Sequence, residues 1–343
     1  MTHQLLALGE TGIATSRVGL GCATLFHLPR PSERRAVLHA AFAEGITHFD
    51  VAPMYGFGLA ESELGSFLQG RRGEITVTTK FGIDPTPLGR AAGRLQRPVR
   101  STLRRLPRTG RGLKSSGRGP ASGAVGRLLY TSESYTPETV RRSLDRSLAA
   151  LHTDYVDVFL VHDPTDALLS DSSELADYLA SEVARGRIRT WGSAADVNQP
   201  AGEVRTLSES SPVLQFRDDV FEPEPWADTA HGQAFITFGI MERALPSLTA
   251  YFERSPAERV AWSGRLGFDA GGPGALAGLL LRQALHRNPS GPVLFSSTRE
   301  DRVRDAARMA AVARDPAAMS AEADVVGDLT AAVRRDEDRS AAG

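Results

Sequence analysis

Cysteine is nearly absent: Cys22 is the one thiol in 343 residues, which excludes a disulfide framework and suits a reducing compartment. Net charge is nearly absent too. Asp and Glu number 41 against 40 Lys and Arg, a formal charge of −1, so whole-chain electrostatics point to neither nucleic acid nor an anionic membrane. Long apolar runs are missing. The longest, such as ALAGLLL at 275–281, fall far short of a bilayer span. The first residues, MTHQLLALGETG, lack the basic and apolar regions of a signal peptide. What remains is a soluble, cytoplasmic, globular protein, long enough for a substantial core.

What is present is an alternation. Short apolar runs occur at 18–25, 46–52, 74–82, 155–162, 188–194, 212–218, 234–240 and 292–297. Amphipathic stretches lie between them at 31–45, 61–70, 136–152, 174–187 and 275–287, and another follows at 299–313. Thr-Pro-Glu at 136–138 is a strong helix start, and Gly45 and Gly70 are stops. Alternating βα units demand a parallel sheet, and eight of them close a (β/α)8 TIM barrel. An open doubly wound sheet is the alternative, weakened because no GxGxxG follows the first strand. Barrels of this size are usually single domains, so residues 1–343 are expected to form one.

One region breaks the pattern. Residues 85–130 hold eleven Arg or Lys and no Asp or Glu, with many Gly, Ser and Pro. On a barrel this is a basic, partly disordered loop insertion after the third strand, on the face where active sites are built. It reads either as a solvated insertion or as a flap that attracts an anionic substrate or a cofactor phosphate. A nucleic-acid arm is disfavoured because aromatic residues are not interleaved. The tail, DEDRSAAG, reads as disordered.

Four polar residues sit where strands end. Asp50 and Tyr55 lie in HFDVAPMYG, Lys80 in TVTTKFG, and His162 in VFLVHDP. A buried unpaired carboxylate is expensive, and Lys80 is the cation Asp50 needs. A lysine ammonium beside a tyrosine favours the phenolate, which would lower the pKa of Tyr55 and make it a usable general acid. A nearby histidine can hydrogen-bond and orient a carbonyl oxygen. Singly, each residue also reads as a turn, cap or solvated side chain. Together, at the ends of strands two, three and four of one barrel, they read as a site.

FDVAPMYGFGLAESELGSFL, TTKFG and SLDRSLAALHTDYVDVFLVHDP resemble the aldo-keto reductase superfamily, in its sugar and aldose dehydrogenase-like branch. The likeness spans the chain apart from residues 85–130. It implies a (β/α)8 barrel that transfers hydride reversibly between a nicotinamide cofactor and a small-molecule carbonyl or alcohol (an aldehyde, ketone or sugar). The implied catalytic residues are Asp50, Tyr55, Lys80 and His162, with Tyr55 as acid and base, and no metal. The implied cofactor contacts are Ser193, Gln215 and Phe238 around the nicotinamide, and Ser296, Ser297, Thr298 and Arg299 around phosphate. Arg299 favours a 2′-phosphate, hence NADP (NADPH) over NAD. A monomer is expected by the same analogy, with neither nucleic acid nor membrane as partner.

The sequence departs from the resembled pattern in three places. Ser193-Ala194 stands where Ser-Asn is usual, Phe295-Ser296 where Pro-Gly is usual, and Ala306 where an asparagine reads the adenine. These leave open a non-catalytic, nucleotide-sensing or partner-binding relative on the same barrel. An unrelated barrel enzyme using Lys80 as a Schiff-base amine is a further alternative.

Overall fold

In an all-parallel barrel each strand is covered on both faces, so its residues are apolar without alternation. That is why TVTTKF is buried at every position despite its threonines, and VDVFLVH at all but the last. The structure, a computed structural model, describes residues 5–91, 93, 128–169, 171–195, 202–222, 232–312 and 315–342.

Two short strands, Leu6–Ala7 (β1) and Ala14–Thr15 (β2), pair antiparallel. The barrel then starts with Val18–Gly21 (β3), His48–Asp50 (β4) and Thr76–Phe81 (β5). A two-stranded antiparallel ribbon follows, Ile83–Pro85 (β6) against Tyr130–Ser132 (β7), with Pro85 opposite Tyr130. The remaining barrel strands are Val156–His162 (β8), Ile188–Ala195 (β9), Val213–Arg217 (β10), Ala234–Phe238 (β11) and Val293–Phe295 (β12). Closure runs β10-β11-β12-β3-β4-β5-β8-β9, every pairing parallel. Seven of the eight apolar runs read from the sequence contain one of these strands, and the run at 188–194 covers all of β9 but its last residue.

Among the helices of the described residues are Pro31–Ala43 (α1), Ala60–Leu68 (α2), Pro137–Leu151 (α3), Ser172–Ala184 (α4), Gly202–Ser210 (α5), Ala244–Arg254 (α6), Pro256–Leu266 (α7), Ala275–Arg287 (α8), Glu300–Ala311 (α9) and Pro316–Ala342 (α10). Thr136 caps α3 by accepting from the Thr139 N–H, ahead of Pro137, and Asp171 caps α4 by accepting from the Glu174 N–H. Inside the barrel, Val158, Leu160, Ile236 and Leu294 meet Leu8 and Ile13 of the β1–β2 hairpin, which plugs the N-terminal end. Between barrel and helices, Phe49, Phe67, Phe81 and Phe159 anchor the larger core. A separate cluster, including Tyr251, Trp262, Leu280, Leu329 and Val333, seats α10 against α6, α7 and α8.

The C-terminal tail corrects the sequence reading. Residues 336–342 are the end of α10, an alanine-rich helix held by the Asp336–Arg254 ion pair at 2.6 Å. Of the basic insertion, 85–91, 93 and 128–130 are described and the rest lies outside the described residues. No described helix is long and apolar enough to cross a membrane.

The chain leaves β5 through Gly82, at φ +111°, a region β-carbon-bearing residues rarely enter. A β-carbon there would lie 2.3 Å from a ring carbon of Tyr135. Gly82→Ala should therefore destabilise the fold by at least about 2 kcal/mol, from backbone strain plus clash, measured by urea denaturation.

Candidate functional site

The C-terminal ends of β4, β5 and β8 lie side by side, and each delivers one polar group. Asp50 and Lys80 are buried to 3% and 1% exposure. The Lys80 Nζ donates to both Asp50 oxygens at 2.6 and 2.7 Å, and the Gln215 Nε2 of β10 donates to the second at 2.7 Å. The carboxylate is thus paired and hydrogen-bonded, which makes a buried ion pair tolerable.

Tyr55 is presented by a tight turn over 55–57 that follows Pro53. Gly56, Phe57 and Gly58 all have positive φ (59°, 58° and 88°), so the backbone reverses sharply. The Phe26 ring fills the space where a Gly56 β-carbon would be, at 2.5 Å. The turn sets the Tyr55 ring at 89° to His162, with centroids 6.4 Å apart, and Lys80 Nζ lies 5.4 Å from the Tyr55 ring centre.

Protonation here differs from the sequence expectation. The Tyr55 hydroxyl is pushed well above its usual pKa, first by burial, then by the charges of Asp50 and Asp163. Burial and the nearby carboxylates outweigh the depression expected from a neighbouring lysine. His162 is lowered to about 3, chiefly by burial and secondarily by Lys80, so it is neutral at physiological pH. Its Nδ1 is buried without a hydrogen-bond partner among the described residues. His48, deeper in the barrel between Thr15 and Thr78, is lowered to about 3 for the same two reasons.

A cavity of about 510 Å³ opens over these groups; Asp50, Tyr55, Lys80, His162, Gln215 and Phe238 line it. A second, of about 760 Å³, adjoins it at Met241, Phe295 and Ser296 and runs past Ser297 and Arg299 to the first turns of α9. Of the remaining residues singled out from the sequence, Ser193 is buried in β9, its Oγ without a partner among the described residues. Its neighbour Ala194, level with Gln215 across the sheet, lines the first cavity. Ala306 lines the second. Thr298 faces a shallow depression against α1 instead. Ser296 Oγ donates to the Gly21 carbonyl at 3.1 Å, a contact that a side chain at Gly21 would block.

Some residues at the site carry no signal in the sequence pattern. Tyr135 donates to the His162 carbonyl at 2.7 Å and so fixes the end of β8. Asp163 follows in a left-handed conformation, φ 46°, on the cavity wall. Arg217 packs over the Phe238 ring at 5.4 Å and pairs with Glu242 at 2.6 Å. For Asp163 the sequence offers no more than an acid following an apolar run, in VHDP.

The sequence profile of the Aldo/keto reductase family matches residues 17–214, more than half of the chain. The chain belongs to the aldo/keto reductase family. Among curated relatives of this aldo/keto reductase, D-threo-aldose 1-dehydrogenase of a Pseudomonas species is 34% identical over 162 residues, 46% of this chain and 43% of that protein. The 6-dehydroglucose reductase of Novosphingobium aromaticivorans is 28% identical over 235 residues, 63% of this chain and 61% of that one. The matched stretches thus span about half the length of these relatives. Solved structures share the fold: an aldo-keto reductase of Bacillus halodurans in its holo form has a TM-score of 0.68 at 17% identity, covering 94% of this chain and 96% of that one. One of Klebsiella pneumoniae in complex with NADPH has a TM-score of 0.62 at 18% identity, covering 95% and 96%.

Two predictions follow from burial alone. Lys80→Met leaves Asp50 buried and unpaired and should cost about 3–5 kcal/mol, whereas Asp50→Asn with Lys80→Met should recover much of it; urea midpoints of the two variants decide. Because His48 and His162 are held neutral in the fold but protonate when unfolded, stability should fall as pH drops below about 6.5 toward 3. Each histidine contributes about 1.4 kcal/mol per pH unit in that window. Melting temperatures from neutral to acid pH should show this slope, and His48→Gln should remove one of its two protons.

Proposed function

We propose that this protein is an NADP-dependent oxidoreductase that transfers hydride reversibly between the nicotinamide and a small carbonyl or alcohol, with Tyr55 as the acid and base. The observation that carries the reading is the juxtaposition at three adjacent strand ends. A sealed Asp50–Lys80 pair lies under Tyr55 and His162, in a cavity that continues as a groove to a helix N-terminus.

The residues present fit a dinucleotide. The two adjoining cavities make an elongated groove, Phe238 offers a ring face at one end, and Gln215 is a polar group suited to a carboxamide, whereas Ser193, which lines neither cavity, is left out of this set. At the other end Ser296, Ser297 and Arg299 precede α9, whose N-terminus favours an anion. Thr298, on the α1 side, is left out of this set. The bound reduced nicotinamide supplies the hydride.

The chain's own groups supply the rest. His162, neutral, holds the substrate oxygen by a hydrogen bond and adds no charge of its own. Tyr55 keeps its proton through neutral pH and gives it to an oxygen that becomes strongly basic only as hydride arrives. Lys80, locked by Asp50, stabilises the phenolate that this transfer leaves. The relatives' names support an aldose or other hydroxylated carbonyl compound as the substrate.

Tyr55→Phe should lower turnover by about a thousandfold, within the range for losing a general acid, while NADPH affinity stays within about twofold. Assaying NADPH consumption against a panel of aldoses and small aldehydes, beside a binding titration, tests this. Unchanged turnover would sink the assignment.

A further inference from the structure

The far end of the groove carries a charge arrangement that the reading above does not use. Arg299 is the residue before α9 and Asp301 lies in that helix's first turn. The Arg299 Nε donates to Asp301 Oδ1 at 3.0 Å and its Nη2 to Oδ2, so both arms of the fork rest on one carboxylate. The side chains are 58% and 56% exposed and both residues line the same cavity. Among the described residues of that lining, Arg259, Arg299 and Arg302 stand against Glu253, Asp301 and Asp305, so its charges cancel.

We infer that Asp301 is a cofactor-specificity residue: by occupying the Arg299 fork it makes a 2′-phosphate compete with an internal carboxylate, and so narrows the preference for NADP over NAD. This rests on the dinucleotide reading of the groove. A guanidinium recognises a phosphate through two parallel N–H groups, and the Asp301 carboxylate uses a pair of them. The Asp301 carboxyl is held at about 2, chiefly by its hydrogen bond from Arg299, so it competes at every working pH. The competition is limited because exposed pairs are weak. Asp301 therefore tunes the preference and does not reverse it.

The test is a titration of the 343-residue protein with NADPH and with NADH, followed by tryptophan fluorescence, for wild type, Asp301→Asn, Arg299→Gln and the double variant. Asparagine keeps a neutral polar side chain in the first turn of α9 and leaves the fold intact. Asp301→Asn should tighten NADPH about three- to fivefold, the scale set by an exposed pair, with NADH within about twofold. Arg299→Gln should weaken NADPH, and in that background Asp301→Asn should change it by less than about twofold. An unchanged NADPH:NADH ratio in Asp301→Asn, with wild type binding NADPH well, overturns the inference alone. A gain that survives in the double variant overturns it too, because the effect would not pass through Arg299. Failure of wild type to bind either nucleotide overturns the dinucleotide reading and the inference together.

Discussion

An ammonium and a carboxylate sealed below the barrel mouth set the conditions for every group above them. Each alone would be costly to bury; together they cancel, and Gln215 takes up more of the carboxylate's hydrogen-bonding capacity. The pair also acts as a strut. Asp50 belongs to β4, Lys80 to β5 and Gln215 to β10 on the far side of the closed sheet, so one carboxylate ties three strands across the opening. Charge, position and rigidity come from the same two side chains.

Four titratable groups around that strut are held neutral. His48 and His162 are held unprotonated, Tyr55 protonated, and burial pushes the Cys22 thiol up. Burial is the largest cause in all four cases. On the proposed mechanism the mouth therefore holds its proton donor loaded and its histidine uncharged until a reaction creates charge. In that proposal, new negative charge at a substrate oxygen would meet a preset ammonium and a polarisable hydroxyl, which is what electrostatic preorganisation requires.

Much of this was legible in the sequence because buried parallel strands write themselves as apolar runs, and because an ionisable residue ending such a run is conspicuous. Asp50, Lys80 and His162 stood out for that reason, and the neutralisation of Asp50 by Lys80 follows from charge alone. The state of Tyr55 did not follow. Sequence pairs the lysine with the aspartate, but only geometry shows how deeply the Tyr55 hydroxyl is buried, which is the first cause of its raised pKa. Helices α5, α6, α7 and α10 were missed as well; of these the alanine-rich α10, at 316–342, lacks a clear apolar stripe and is fixed by docking onto a satellite cluster. Tyr135 was invisible because its role is a hydrogen bond to a main-chain carbonyl, which leaves no pattern in side-chain spacing.

The β6–β7 ribbon has a consequence for how this protein can change. It clasps the chain on the way out and on the way back, Pro85 facing Tyr130, before Tyr135 reaches the end of β8. Whatever length and composition lie beyond that clasp, the two stems leave and re-enter the barrel at fixed points, and loop-closure cost grows only slowly with length. The excursion is a module in the evolutionary sense. It can be lengthened, recoloured in charge or exchanged wholesale while the chemistry beneath it keeps its geometry.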